Sequence, residues 1–380
     1  MRSTVENWLM SRPRILAPPH FSIAYYHCIS RVVDRQFIFG PEEKHLFLSL
    51  MEEYSQFCGV RITSYCIMDN HFHLAVEVPK PPENLTGHDW LLERLDVLTV
   101  SYPVASDTRK MILKFLADGA HEQLQELVDG YKALMWDLSS FMKLLKQRFT
   151  MRYNKAHDRK GTLWESRFKS TLIEGAGDTL ATVSAYIELN PVRAGIVDDP
   201  AEYAWSSYGK ACQGDKKAVE GIRTVVAGAQ RVEESTLTIE GALRTYRGQL
   251  IGNSAMDVKP WEVPDVALQQ LSTGSVNDGD GVDLRVIGDA TPVRLGPTKA
   301  EILEKVMADE QVSVAEYVRI RVRYFTDGLV LGSREFVEGI FLAYRDRFGP
   351  KRVKGGSRVR GLNLGEGIYS LRNLKKKVFG

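Results

Sequence analysis

Histidine is missing from the C-terminal half of this chain: all eight lie between His20 and His157. A barrel hydrolase of the amidohydrolase type needs further histidines and an aspartate on later strands, beyond its His-x-His strand. The missing histidines and the missing strand-helix repeat exclude that class. Cysteine is scarce. Cys28, Cys58, Cys66 and Cys212 form no CxxC pair, which argues against a structural zinc site and for a reducing compartment. No apolar run is long enough to cross a membrane. The first residues, "MRSTVENWLMSRPRIL", lack the apolar core of a signal peptide, so a cytoplasmic chain is expected. No GxxxxGK[ST] loop is found, so no nucleotide is expected. Charge of one sign is lacking too. The formal net charge is +2, so any nucleic-acid contact must come from local patches.

What is present suffices for ordinary cores: 380 residues, 44% of them hydrophobic, allow two or three domains. "FSIAYYHCISR" (21–31) reads as a strand. "GPEEKHLFLSLMEEYSQFCG" (40–59) reads as an amphipathic helix, opened by Pro41 and closed by Gly59. "VRITSYCIM" and "HFHLAVEVP" read as a hairpin turning at Asp69 and Asn70. Residues 84 to 137 are helical and lean acidic, an insert. A second main helix spans 138–161, with Phe141, Met142, Leu145 and Phe149 on its apolar face. A strand is expected over Phe168 to Glu174, then a third helix over 177–197. Asp178 is expected to cap that helix, and Pro191 to end it near Asn190. This order predicts an α+β fold: an antiparallel sheet with helices on one face.

Past Cys212 the pattern weakens. A helix is expected over 235–252. The run 272–297 is rich in Gly, Asp and Pro and reads as a linker. Three short helices follow. Thr298 with Glu301 and Ser313 with Glu316 make capping boxes, and Ser333 starts the third helix. The end of the chain is basic, with Lys351, Arg352 and Lys354 at its start.

"MDNHFHLAVEVP" (68–79) places His71 and His73 on one strand face and Phe72, Leu74 and Val76 on the other. Two adjacent imidazoles suit a metal ion, and they equally suit the polar face of a half-buried strand. In "SAYIELNP" (184–191), Tyr186 and Asn190 lie one helical turn apart. Alone, they also suit a core-edge tyrosine and a helix end. Lys143, Lys146, Arg148 and Arg152 line the polar side of the 138–161 helix, either as a track for DNA phosphates or as a solvated face. In "LWESRF" (163–168), Trp164 is a stacking platform for an unpaired base or a core tryptophan. Arg167 is a nucleic-acid contact or a surface arginine.

Taken together, the His-x-His strand and the Tyr-x-x-x-Asn helix resemble the HUH endonuclease superfamily. They resemble its single-tyrosine transposases more closely, and REP-associated tyrosine transposases most of all. The pieces "YHCISRVVDRQFIFG" (26–40), "YCIMDNHFHLAVEVP" (65–79), "FMKLLKQRFTMRYN" (141–154), "GTLWESRFKSTLIE" (161–174) and "AYIELNPVRAGIVDDPAEYAWSSY" (185–208) occur in that family's order, over about residues 20 to 210. The resemblance implies a ferredoxin-like HUH nuclease fold. It further implies Tyr186 as nucleophile, and His71, His73 and Asn190 as ligands of Mg²⁺ or Mn²⁺. The implied activity is DNA transposition: cutting and rejoining hairpin-forming single-stranded DNA through a 5′-phosphotyrosine, in a nucleoid-associated, bacterial-type setting. Many mobile relatives carry glutamine where this chain has the shorter Asn190.

The expected organisation is therefore a catalytic domain over 1–212 with a helical insert at about 84–137. A helical connector over 213–271 and the linker follow, then an all-α, basic DNA-binding domain over 298–380. In that last domain Ser333 to Phe348 is the expected recognition helix. All proposed catalytic residues precede the linker, so removal of everything after about residue 270 is expected to spare cleavage. A homodimer is left open. The rival reading is a domesticated DNA- or RNA-binding protein on the same scaffold, without chemistry.

Overall fold

The computed structural model describes residues 14–83, 85–98, 103–251, 299–308, 310–320, 322–362 and 367–371. The expected linker, Thr298 and the basic run after Leu371 lie outside the described residues. Strand β1 (Ile23–Arg31) is followed by helix α1 (Pro41–Cys58) and by the hairpin β2 (Arg61–Ile67) and β3 (His71–Pro79). The insert folds as α2 (Asp89–Leu98), α3 (Pro103–Ala117) and α4 (His121–Lys132). Then come α5 (Leu138–Ala156), β4 (Lys169–Ile173), α6 (Asp178–Glu188) and the single turn α7 (Asn190–Arg193). Helices α8 (Ser207–Cys212), α9 (Lys216–Gln230) and α10 (Ile239–Ile251) follow. The last part holds α11 (Lys299–Met307), α12 (Val314–Tyr317), α13 (Arg323–Asp327), β5 (Val330–Gly332), α14 (Arg334–Ala343), β6 (Ser357–Arg358) and β7 (Tyr369–Ser370).

Local chemistry accounts for most boundaries. Proline opens α1, and Gly59 ends it at φ 68°, a left-handed conformation that glycine adopts without steric cost. Asp137 caps α5 by accepting from the Ser140 amide. Ser313 and Glu316 form the expected capping box, and Ser333 accepts from the Phe336 amide. One expected cap is corrected. Gly177, not Asp178, precedes α6, and Asp178 is the first residue of the helix, where its charge favours the helix dipole. Helix α6 stops at Glu188, and Pro191 sits in the first turn of the separate α7, which begins at Asn190.

The strands form one sheet in the order β2-β3-β1-β4-β5-β7-β6. The α+β class and the antiparallel β2-β3-β1-β4 core stand as expected. On β3, Phe72, Leu74 and Val76 face a core with α1 and α5, while Ala75 faces a second core with α6, α8, α9 and α10. Helices thus cover both faces: α1 and α5 take the expected one, and the third helix lies opposite. Gly221 of α9 permits a close approach there, because a Cβ would come within 2.6 Å of the Thr63 carbonyl oxygen on β2.

The C-terminal part departs from the all-α expectation. Strand β5 pairs in parallel with β4, and β7 and β6 extend the same sheet. Val337, Ile340 and Phe341 of α14 bury their apolar face in the first core, and Tyr317, Val322 and Phe325 enter the second. The stretch "TDGLVLG", expected as the turn of a DNA-binding helix pair, instead ends α13 and forms β5. A three-residue strand ending in glycine carries too little periodicity to announce itself in sequence.

Candidate active site

The face of β3 that carries His71 and His73 is roofed by α6. The turn before these histidines is held from several sides. Lys44, buried on α1, makes a 2.6 Å ion pair with Asp69, and the backbone carbonyls of Asp69 and Asn70 accept from the amides of Phe39 and Val32. Asn70 donates its Nδ2 to the Arg35 carbonyl, which turns its Oδ1 to His71 Nδ1 at 2.7 Å. An amide oxygen only accepts, so His71 carries a proton on Nδ1.

His71 and His73 stand with ring centroids 5.1 Å apart, and Tyr186 of α6 stands 6.2 Å from His73. The structure therefore brings His71, His73 and Tyr186 together. His73 and Tyr186 are enclosed, at 3% and 2% exposure. Asn190 differs. Its Nδ2 donates to the carbonyls of Tyr186 (3.3 Å) and Ile187 (3.0 Å), so its amide closes the end of α6. Among the described residues, no group of three or more His, Cys, Asp or Glu side chains could hold a metal ion. The paired imidazoles fit the donor chemistry of a divalent transition metal such as Mn²⁺, and a third ligand would have to come from Asn190 Oδ1, water or substrate.

Three further residues complete the site. His27, on β1, is 1% exposed and hydrogen-bonds His73 Nδ1 through its Nε2 at 2.9 Å. Its Nδ1 meets the Phe325 carbonyl at 2.9 Å. Burial pushes His27 down to about 4. Burial, with the neighbouring His27, His71 and Arg193, holds His73 well below the usual histidine range. Phe325 of α13 packs edge-on to Tyr186 at 5.0 Å. The Arg193 guanidinium lies 3.9 Å from the Tyr186 ring centroid and donates to the Tyr186 carbonyl at 2.7 Å. The signal for His27 was present in "YHC" on an expected strand, but its closeness to His73 depends on the β1-β3 register, which pairs Ile29 with His73 and His27 with Ala75. Phe325 lies some 140 residues beyond Tyr186, and no local pattern links them.

The expected DNA contacts divide. Lys143, Arg152 and Arg167 are exposed and Arg148 is half-buried. Lys146 is half-buried: its ammonium donates to the Ser166 carbonyl and lies 5.0 Å from the Trp164 ring, and burial lowers it to about 8. Trp164 is a core tryptophan. It is 9% exposed, donates to Thr150 Oγ1, and packs against Phe39, Phe72 and Phe149, so the stacking-platform alternative falls. Lys351 and Lys354 are exposed. Arg352 is spent internally, donating to the carbonyls of Lys354, Gly355 and Leu371 and lying over Phe348. These bonds tie Leu371 to the 352–355 turn, beside Phe341 of α14, and turn the guanidinium inward.

Residues 20–84 match the family model described as "Transposase IS200 like". That segment spans β1 to β3, and so holds His27, His71 and His73 but neither Tyr186 nor Asn190. Family match and sequence resemblance coincide over it. Among solved structures, the chain is similar to one described as "Structure of the REP associates tyrosine transposase bound to a REP hairpin". The identity is 14%, the match covers 53% of this chain and 84% of that chain, and the TM-score is 0.33. No curated protein matches the chain. No helix among the described residues is long and apolar enough to cross a membrane.

Proposed function

We propose that this chain is a transposase-type nuclease that cuts and rejoins hairpin-forming single-stranded DNA, with Tyr186 as nucleophile. One observation carries the reading. A tyrosine on α6 lies against a paired-histidine strand, and that strand belongs to the segment matching IS200-like transposases. Tyr186 Oη would attack the scissile phosphorus and lose its proton. The bond from phosphorus to the 3′ oxygen would break, and that oxygen would take up a proton. The products are a 5′-phosphotyrosine and a free 3′-hydroxyl, and an incoming 3′-hydroxyl reverses the step without loss of the ester bond. His71 and His73 would hold a divalent metal, which when bound polarises the phosphate and stabilises the charge that develops on it. Asn190 closes the α6 end and so keeps Tyr186 in place.

A second reading, a DNA- or RNA-binding protein without chemistry, draws support from the enclosure of Tyr186 under Phe325 and Arg193. One experiment separates the two. The full chain is incubated with a labelled single-stranded hairpin and Mn²⁺, then denatured. Our reading expects a covalent adduct that disappears in Tyr186→Phe and in excess chelator. Binding without any adduct under varied metal and substrate conditions would favour the second reading.

A further inference from the structure

His27 is not among the residues that the chemistry above requires, yet it is buried between the site and the C-terminal part of the chain. The Phe325 carbonyl can only accept, so the 2.9 Å contact places a proton on His27 Nδ1. Neither ring has a carboxylate among its hydrogen-bond partners in the described residues, and both are enclosed, which favours neutral imidazoles. A neutral His27 with its proton on Nδ1 offers a bare Nε2. That atom must accept from His73 Nδ1, 2.9 Å away. His73 is then protonated on Nδ1 and bare on Nε2, and Asn70 likewise places a proton on Nδ1 of His71.

We propose that His27 is a positioning residue: it relays the Phe325 carbonyl to His73 and so sets that ring as a metal ligand through Nε2. The two histidines are prepared by different means. His71 is set locally by its sequence neighbour, and His73 by a chain of two hydrogen bonds that ends some 250 residues away. Outer partners of metal-binding histidines commonly act in this way, fixing tautomer and ring angle. The C-terminal part of the chain thereby becomes a component of the site. The inference rests on the function proposed above for its metal, but the tautomer itself is a property of the chain without metal or DNA.

The test is a long-range ¹H–¹⁵N correlation spectrum of the full-length, metal-free protein, with His73 assigned by comparison with His73→Gln. His73 is expected as the Nδ1-protonated tautomer. In His27→Phe, which keeps the ring volume and removes both hydrogen bonds, the signal should move to a mixture or to the other tautomer. Mn²⁺ affinity should then fall by roughly 10–100-fold. His27→Gln retains an acceptor for His73 and should recover much of that affinity. An Nε2-protonated His73 in the unaltered protein overturns the proposal, even if His27→Phe does not fold. Unchanged Mn²⁺ affinity in a folded His27→Phe overturns it as well. A correct tautomer with no covalent adduct would sink the proposed reaction and leave the relay standing. An adduct with the wrong tautomer would do the reverse.

Discussion

Glu188 lies two residues beyond Tyr186 and is fully buried, a rare place for a carboxyl group. Its oxygens accept from Ser207 Oγ and from the Tyr208 amide at 3.1 Å, with the Tyr246 hydroxyl at 3.5 Å. Burial nevertheless dominates and raises the group from 4.5 to about 7. The sign follows from linkage: the folded state binds the proton more tightly than the unfolded chain. The stabilisation is therefore complete below about pH 4.5 and is lost as pH rises through 7. At about 1.4 kcal/mol for each pH unit between the two values, the loss is about 3 kcal/mol. Glu188→Gln keeps the shape and cannot ionise. Its stability relative to the parent should rise between pH 5 and pH 8, measured by urea melts at both pH values. A constant difference would show that Glu188 is already ionised in the folded state throughout.

Helix α5 joins two tasks on its two sides. Inward, Phe141, Leu145 and Phe149 are buried, and Trp164 packs against Phe149 while its indole donates to Thr150. Outward, Lys143 is exposed. The two sides predict different failures. Trp164→Ala should cost about 3–5 kcal/mol of stability, the usual loss for a buried large aromatic. Lys143→Ala should leave the melting temperature unchanged. If α5 carries the DNA backbone, Lys143→Ala should also lower the slope of log affinity against log salt by about 0.7 for a single strand. Filter binding at several salt concentrations reads that slope. A Trp164→Ala protein of parent stability with a base-stacking defect would restore the platform reading, and an unchanged salt slope in Lys143→Ala would place the DNA elsewhere.

At the scale of the whole molecule, the described residues from Lys299 on are not an appendage. They add β5 to the open edge of β4, lay Phe325 against Tyr186, and bury Ile340 and Phe341 in the core shared by α1 and α5. Each large apolar side chain so buried contributes about 1.5–3 kcal/mol. Val330, Leu331, Phe325, Ile340 and Phe341, all 0–1% exposed, together contribute about 7.5–15 kcal/mol, comparable to a typical domain's net stability of about 5–15 kcal/mol. A chain ending near residue 270 should therefore lose its cooperative thermal transition and with it any cleavage, contrary to what the placement of the motifs before the linker suggested. Near-ultraviolet circular dichroism during heating would check this. A truncated chain that melts like the parent would return the segment to the role of a separate module.

The main strands and helices between Ile23 and Glu188 were legible in the sequence because their signals are local. Period-two alternation showed β3, amphipathic spacing showed α1 and α5, and proline and glycine marked their ends. His71 and His73 share a face by strand geometry alone, and their separation from Phe72 and Leu74 is borne out by the two cores. Tertiary structure alone decided that His27 meets His73, that Trp164 is core, and that Arg352 is turned inward. It alone also made the C-terminal segment part of the sheet. These outcomes depend on strand register and on contacts between residues far apart in the chain. A side chain's chemistry is written in the sequence, but what it touches is set by how the elements pack.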